Sequence, residues 1–392
     1  MARRFLAAWL LGLALLRGWT FLPGARVRGS RRSSSVPRRA AEEDFVEALA
    51  LLEKAGLGSY KSQLLEWCEE QGAASDEEVL ENLEDLAADL GWSSEELEHV
   101  QEMQSKQQEL FAYARSGDAE GLAKVAPTCD LSKREANGGT ALHLAAAAGH
   151  GAAVARLLEL NAPSLRDKDG RVPLHLAAFQ GHHEVLSLLL DSKAAYVDAT
   201  ERRQGSSPLH SAARNGHEAC VEALVEGKAD LTLRDLMGRD ALHWACFWGQ
   251  PNTAELLIRH KADFSEANRD KGSGAGPLHW AAWRGHGEVL RLLLAQKADP
   301  NSNSLQRNTP LHFAAEAGHV AMVTELLEVG SKADAMTDMG ETPLMLAMAR
   351  TEKGHAAPNL AQPVGGNHTA VVQLLDGIET DRGPSAPVRR GE

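Results

Sequence analysis

The sequence predicts an all-α protein in which an array of helical repeats follows a small helical bundle. Three observations indicate this fold. A motif built around Leu-His returns about every 33 residues through the larger, C-terminal part of the 392-residue chain. In most copies Pro opens a short apolar stretch and Gly closes it, as at the first turn and the end of a helix. Ahead of the array, apolar residues recur at helical spacing between residues 42 and 106.

Residues 1–41 have the composition of a targeting sequence. They contain nine Arg and no Lys, Asp or Glu, and Arg3 and Arg4 precede an apolar run that ends at Leu16. A basic start before such a run is typical of a secretory signal, whereas the Arg-, Ser- and Pro-rich stretch that follows is typical of a transit peptide. The combination resembles the two-part presequences of algae with complex plastids, which implies a plastid destination. The secretory pathway and the mitochondrion are the alternatives.

Residues 42–106 predict an acidic helical module. This segment has 19 Asp and Glu against three Lys, and Ser75 with Glu78 and Ser93 with Glu96 have the spacing of capping boxes. The stretch from Ala55 to Trp92 resembles a SAM domain. That resemblance implies a second protein contact, but the acidic end of the segment lacks the basic helix with which SAM domains often bind a neighbour. A simple helical spacer is the alternative.

Composition excludes several classes of function. The net charge is −13, and −22 without residues 1–41, so the body of the chain would repel a nucleic-acid backbone. No apolar run reaches the roughly 18 residues of a membrane-spanning helix, which argues against stable membrane insertion. The four Cys form no CxxC pair, so we expect free thiols and neither a zinc ribbon nor a disulfide framework.

The repeat itself is the most specific signal in the chain. Its His returns at intervals of 32 to 36 residues, and Gly follows six residues after each one. The seven motif copies are Thr140-Ala-Leu-His143, Val172-Pro-Leu-His175, Ser207-Pro-Leu-His210, Asp240-Ala-Leu-His243, Gly276-Pro-Leu-His279, Thr309-Pro-Leu-His312 and Thr342-Pro-Leu-Met345. This pattern resembles the ankyrin repeat. The resemblance implies two antiparallel helices and a short β-hairpin finger per repeat, stacked into a solenoid over residues 107–376.

The ends of the array depart from the motif, as capping repeats do. The segment from Glu109 to Val125 has no motif copy and predicts an N-terminal cap, which brings the array to about seven to eight repeats. Met345 replaces His in the last copy. A Pro- and Gly-bearing insert near 351–365 predicts a flexible loop, and residues 377–392 predict a disordered tail.

The sixteen His do not indicate a metal or a catalytic centre. Helices of a stack lie about 8–10 Å apart, whereas zinc holds nitrogen at about 2.0–2.1 Å, so successive motif His cannot share an ion. The family resemblance implies that they bind neighbouring backbone, Thr and Ser groups instead. We expect His182, His183 and His319 to be solvated near helix–helix turns. The chain also has no GxSxG, P-loop or HExxH motif, and we expect no cofactor and no enzymatic activity.

In ankyrin proteins the finger tips and the exposed side of each first helix form a concave binding face. The resemblance assigns to this face the two residues before each motif Gly. Several of them are Phe, Trp and Arg, which are enriched in binding hot spots. The predicted protein-binding residues are Phe179, Arg214, Phe247, Trp248, Trp283 and Arg284, with Leu236 and Met237 at a finger tip. Inter-repeat packing is the alternative, above all for Phe179, and we expect Trp244 and Trp280 to be core.

These observations predict a non-catalytic adaptor that binds a partner protein in the concave groove. Arg beside Trp suits an aromatic or acidic peptide segment. The alternative function is a chaperone-like carrier of hydrophobic client segments in an organelle. After the presequence, the module and the array are assigned, no stretch of catalytic-domain size remains.

Overall fold

A computed structural model of the chain describes residues 45–71, 73, 75–192, 196–265, 268–352 and 366–381. The predicted presequence (1–41) and most of the predicted insert lie outside the described residues. Within the described part the secondary structure consists of α-helices, two single 3₁₀ turns and no β-strand. The chain divides into two compact units at Leu165 and Arg166.

The N-terminal unit contains eight α-helices among its described residues. They are α1 (Val46–Lys54), α2 (Lys61–Gln71), α3 (Asp76–Glu81), α4 (Leu83–Leu90), α5 (Ser94–Ser116), α6 (Ala119–Val125), α7 (Ala141–Ala148) and α8 (Gly151–Glu159).

The first five helices enclose an apolar core, as their periodicity predicts. Phe45, Leu64 and Leu86 are buried in it together with neighbouring leucines. Ser93 and Glu96 form the predicted capping box at the start of α5, where the Glu96 carboxylate accepts the Ser93 amide at 2.8 Å. These contacts hold the acidic module together by burial on the inside and caps at the helix ends.

The module and the first repeat share one continuous helix. We expected a boundary between residues 106 and 107, but α5 runs through that position to Ser116. No Gly or Pro interrupts it before Gly117, and Lys106 forms an ion pair with Glu102 one turn earlier. The side chain of Gln107 exchanges two hydrogen bonds with the backbone of Asp130, which fixes the second half of the helix to the following loop.

The C-terminal unit contains twelve α-helices among its described residues. They are α9 (Pro173–Gln180), α10 (His183–Asp191), α11 (Pro208–Asn215), α12 (Glu218–Glu226), α13 (Ala241–Trp248), α14 (Pro251–Arg259), α15 (Pro277–Arg284), α16 (Gly287–Ala295), α17 (Pro310–Ala317), α18 (Val320–Glu328), α19 (Pro343–Glu352) and α20 (His368–Asp381).

Each repeat is a pair of these helices, an inner helix that carries the motif and an outer helix that follows it. The motif Gly ends the inner helix in a left-handed conformation with φ between 71° and 82°, which a residue with a side chain adopts only at a cost. Successive inner helices pack on one another, because paired Ala side chains such as Ala212 and Ala213 keep the surfaces flat and are fully buried.

The motif His residues join each repeat to the next. Their Nε2 atoms hydrogen-bond to a backbone carbonyl of the following finger at 3.0 to 3.3 Å. The pairs are His175 with Ser206, His210 with Arg239, His243 with Ala275, His279 with Asn308 and His312 with Glu341. All five rings are buried, so the motif His have the structural role that the resemblance implies.

The fingers are tight turns rather than the β-hairpins we expected. In the finger around Met237, the Asp235 amide bonds to the Arg239 carbonyl at 2.8 Å, and no longer ladder forms. Neighbouring fingers are joined by a single amide–carbonyl bond of 2.7 to 3.1 Å, as from Leu236 to Gln204 and from Lys271 to Met237. One bond per pair of fingers is too few to define a strand in the described residues.

The last helix extends beyond the predicted end of the array. We expected the array to end at residue 376 and a disordered tail to begin at 377, but α20 continues to Asp381. Residues 382–392 of the predicted tail lie outside the described residues. Val371 and Leu375 of α20 are buried, and the helix packs on α19, as the outer helix of a final repeat.

Candidate functional site

The candidate site begins at the C-terminal ends of the inner helices. At each end the backbone carbonyl of one residue accepts a hydrogen bond of 3.0 to 3.3 Å from a side chain of the next repeat. The pairs are Phe179 with His217, Arg214 with Gln250, Phe247 with His286, Trp283 with His319 and Glu316 with His368. These bonds fix the backbone that carries the predicted binding residues.

The same bonds correct one expectation from the sequence. His319 is not simply solvated, because its Nε2 atom binds the Trp283 carbonyl and burial lowers its pKa. Burial likewise lowers the pKa of His286. His217, His286 and His319, which each follow a motif Gly, therefore hydrogen-bond the end of the preceding inner helix.

Arginine and aromatic side chains alternate along this edge of the C-terminal unit. The Arg214 guanidinium carbon lies 5.8 Å from the ring centre of Phe179 and 4.6 Å from that of Trp248. The Arg284 guanidinium carbon lies 5.9 Å from the same Trp248 ring and 6.0 Å from Trp283. We call these five residues the cation–aromatic ladder. Such contacts are attractive because the face of an aromatic ring is electron-rich.

Neither arginine of the ladder has a carboxylate partner among the described residues. In the part of the chain that the structure describes, no Asp or Glu oxygen lies within 4.0 Å of either guanidinium, whereas Arg239 pairs with Asp235 at 2.8 Å. Glu316, which occupies the position of Trp283 in the next repeat, pairs with Arg350. Burial lowers the pKa of Arg214 and of Arg284, and nearby Arg239 lowers that of Arg214 further. The ladder therefore holds two partly desolvated positive charges that have no carboxylate partner among the described residues.

Exposure along the edge differs from the expectation at Phe247. Phe179, a predicted binding residue for which inter-repeat packing was the alternative, is 41% exposed. Phe247, which we assigned to the binding surface, is only 6% exposed and packs 5.4 Å from the Trp280 ring. Phe247 thus supports the ladder from beneath, and Arg284 lies 4.7 Å above its ring.

Trp244 and Trp280 are buried, as predicted, and they connect the fingers to the inner helices. The Trp244 indole N–H donates to the Asp235 carboxylate at 3.0 Å, and the Trp280 indole N–H donates to Asp270 at 3.1 Å. Asp270 also accepts three backbone amides of its own finger. These bonds anchor each finger through a buried carboxylate.

The two finger-tip residues are exposed as predicted. Leu236 is 62% exposed and Met237 is 38% exposed. They lie on the finger that Trp244 anchors through Asp235, and Arg214 of the ladder lies 5.7 Å from the Trp244 ring. The structure therefore links this finger to the ladder through one buried indole.

Sequence reasoning missed Phe313 and the finger carboxylates. Phe313 packs 6.4 Å from Trp280 and 5.3 Å from His279. It follows a motif His directly, as Trp244 and Trp280 do, so the same register would have placed it in the core. The Asp in the finger before each Trp gave no comparable signal, since Asp is common in turns.

The four cysteines are free thiols, and three of them are buried. Burial raises the pKa of Cys68 and of Cys220 to about 11, with Asp76 contributing at Cys68. Cys246 is also a buried free thiol, while Cys129 is half-buried. Among the described residues no group of three or more His, Cys, Asp or Glu could hold a metal ion. None of the described helices has the length and apolar character needed to cross a bilayer.

Parts of the chain are similar to known proteins. Short segments are similar to a palmitoyltransferase, ZDHHC13: 48% identical over 46 residues in the human and the Pongo abelii proteins, and 52% over 42 residues in the Mus musculus protein. These matches cover 11% to 12% of this chain and only 7% of the relatives.

Among solved structures, the ankyrin repeat domain of Bcl-3, a member of the IkappaB protein family, is similar with 29% identity and a TM-score of 0.48. The alignment covers 54% of this chain and 94% of that one. A family model of ankyrin repeats matches three times, at residues 110–201, 195–269 and 278–358, and so covers more than half of the chain. The chain belongs to the ankyrin-repeat family.

Proposed function

We propose that this protein is a non-catalytic adaptor that binds a partner protein along the cation–aromatic ladder. Ankyrin repeats generally mediate protein–protein interaction, and the ladder is the feature of this array that is suited to it. The observation that carries the proposal is the alternation of exposed Phe179 and half-buried Trp248 and Trp283 with two guanidiniums that pair with no described carboxylate. A few residues supply most of the binding free energy in protein interfaces, and Trp, Tyr and Arg are enriched among them.

Backbone preorganisation supports the same conclusion. Three of the ladder residues have their carbonyl oxygens bound by a side chain of the next repeat, so a partner would meet side chains that are already in place. A surface that is rigid before binding loses less conformational entropy when the complex forms.

Affinity capture with the full chain tests the proposal. The variant Trp248→Ala/Trp283→Ala should lose the proteins that the wild type retains, while the control Val329→Ala, an exposed apolar residue at the end of an outer helix, should keep them. Circular dichroism should show folded protein in all three cases. Retention of every partner by the double variant would contradict the proposal.

A second function deserves the same test because large apolar side chains are exposed at the finger tips, among them Leu236 and Met339. Such residues suit a chaperone-like carrier of hydrophobic segments. Light scattering of an aggregating membrane-protein client separates the two functions. A carrier lowers the scattering at equimolar ratio, and Leu236→Ser/Met339→Ser weakens this effect, whereas an adaptor has no effect.

Two further proposals concern the N-terminal region. The acidic module, which resembles a SAM domain, is proposed as a second protein contact. Residues 1–41 are proposed as a presequence for a plastid, with the secretory pathway and the mitochondrion as alternatives. Fusion of residues 1–41 to a fluorescent protein tests the second proposal, and substitution of the nine Arg by Gln provides the control.

A further inference from the structure

The two guanidiniums of the ladder are positively charged, and no described carboxylate lies close enough to neutralise them. Arg214 and Arg284 are half-buried, and no described carboxylate lies within 4.0 Å of either. Both have given up part of their hydration. Ring faces compensate for a part of that loss, but they provide no acceptor in the guanidinium plane, and no hydrogen bond joins the N–H groups there to another described residue.

The neighbouring acidic residues are already committed elsewhere. Asp235 binds Arg239 and the indole of Trp244, and Glu316 binds Arg350. Neither is free to turn toward the ladder without breaking an existing contact. The chain as a whole carries a net charge of −13, so this pair of uncompensated cations stands out against an acidic protein.

The ladder also limits the distance between the two guanidinium groups. Both guanidinium carbons contact the Trp248 ring, at 4.6 Å and 5.9 Å from its centre, so they lie no farther apart than the sum of these distances, 10.5 Å. In an extended peptide, side chains two residues apart point to the same side and are separated by about 6.6 Å. Two acidic side chains with one residue between them can therefore reach both guanidiniums at once.

We infer that the ladder binds an extended acidic segment of the partner in which two carboxylates, separated by one residue, pair with Arg214 and Arg284. The inference rests on the proposed adaptor function and specifies the chemistry of its partner. Carboxylates match the guanidinium because they accept two parallel N–H bonds. The exposed face of Phe179 and the ring of Trp283 at the two ends of the ladder receive apolar side chains that flank the acidic pair.

Peptide binding to the full chain tests this inference. The probe is a fluorescein-labelled decapeptide with Glu-Leu-Glu and flanking Leu residues in a Gly-Ser frame, and its matched control replaces both Glu by Gln. Fluorescence anisotropy should show at least about tenfold tighter binding of the Glu peptide, since charge-assisted pairs are the stronger ones. This preference should shrink as NaCl rises from 50 to 300 mM.

Variants separate charge from shape. Arg214→Gln/Arg284→Gln should bind the Glu and Gln peptides equally, while Arg259→Gln, an exposed Arg on an outer helix, should keep the wild-type preference. Urea unfolding of each variant shows whether it is folded. If Arg214→Gln/Arg284→Gln does not fold, Arg214→Lys/Arg284→Lys replaces it and should reduce the preference without abolishing it, because Lys keeps the charge and loses the planar fork.

The outcomes distinguish this inference from the function on which it rests. Three results would contradict the inference that the ladder binds an acidic segment. They are equal affinity of the wild type for both peptides, no binding of either peptide, and binding of a single-stranded 12-nucleotide DNA more tightly than the Glu peptide. If Arg214→Gln/Arg284→Gln still captures the partners that Trp248→Ala/Trp283→Ala loses, the adaptor function is supported and the acidic pairing is contradicted. If Trp248→Ala/Trp283→Ala also retains these partners, both the adaptor function and the acidic pairing are contradicted.

Discussion

The guanidinium carbon of Arg214 lies 4.6 Å from the centre of the Trp248 ring, although the two residues end inner helices of adjacent repeats. The contact couples the two repeats through a charge and a ring, beside the buried Ala pairs of the inner helices and the histidine hydrogen bonds. It makes the ladder part of the interface between repeats as well as a surface for a partner.

Substitution of Arg214 by Lys should therefore lower the free energy of unfolding by about 1 kcal/mol, because the ammonium cannot stack on two rings at once. Urea titration followed by tryptophan fluorescence measures the change. The matched control is Arg259→Lys, on the exposed face of an outer helix, which should stay within about 0.5 kcal/mol of the wild type. Equal effects of the two substitutions would show that stacking contributes nothing.

The two tryptophans of α13 should respond differently to Phe. Trp244→Phe removes the indole donor to Asp235, and loss of a bond to a charged acceptor costs about 1.5–3 kcal/mol. The indole N–H of Trp248 is buried and has no hydrogen-bond partner among the described residues, so Trp248→Phe should cost less than about 1 kcal/mol. Urea unfolding measures both, and hydrogen exchange of the Met237 and Gly238 amides should accelerate only in Trp244→Phe.

Stability should depend on pH through the buried histidines. Burial lowers the pKa of His175 and of His279 from 6.5 to about 4 in the folded protein. Between these values the unfolded chain binds protons that the folded chain does not, so the free energy of unfolding falls as the pH drops from about 6.5 to about 4. Each histidine contributes roughly 3 kcal/mol to that loss, at about 1.4 kcal/mol per pKa unit.

The hydrogen bonds explain why protonation is unfavourable. The Nδ1 atom of His175 accepts the Val172 amide, and its Nε2 atom faces the Ser206 carbonyl, so the ring is neutral with its proton on Nε2. The variant His175→Gln/His279→Gln should be less stable at pH 7.5 and should have a shallower slope of stability against pH. An unchanged slope between pH 6.5 and 4 would contradict this account.

Gln107 should contribute more to the stability of the N-terminal unit than its exposed neighbour Gln108. Gln107→Ala leaves both the amide and the carbonyl of Asp130 without their partner, which should lower the stability of the N-terminal unit by about 2 kcal/mol. Gln108→Ala, one position along the same helix and exposed, is the control and should be close to neutral. Thermal unfolding followed by circular dichroism compares them.

The parts of this fold that the sequence predicts are those that each repeat encodes locally. Pro at the first turn and Gly at the end define the inner helices within a residue, and the residue after each motif His identifies Trp244 and Trp280 as core. The difference in exposure between Phe179 and Phe247 was not predictable in this way. Both occupy the same position of the repeat, and their exposure depends on the next repeat, where Trp280 covers Phe247.

The continuity of α5 also escaped prediction, for a different reason. Composition changes near residue 106, from strongly acidic to mixed, and such a change is often a domain boundary. The helix nevertheless continues, because helix propagation needs only helix-forming residues and a pair such as Glu102 with Lys106. Charge composition and helix continuity are independent properties of this segment.

Met345 departs from the motif in the last of its seven copies, where the other six have His. At the equivalent position of the preceding repeats, a buried imidazole donates a hydrogen bond to the finger that follows. At 345 the side chain is a thioether that is 52% exposed and has no proton to donate. A designer who added a repeat after this one would first have to restore His at 345, because without it the added finger would lack the hydrogen bond that the other motif His provide.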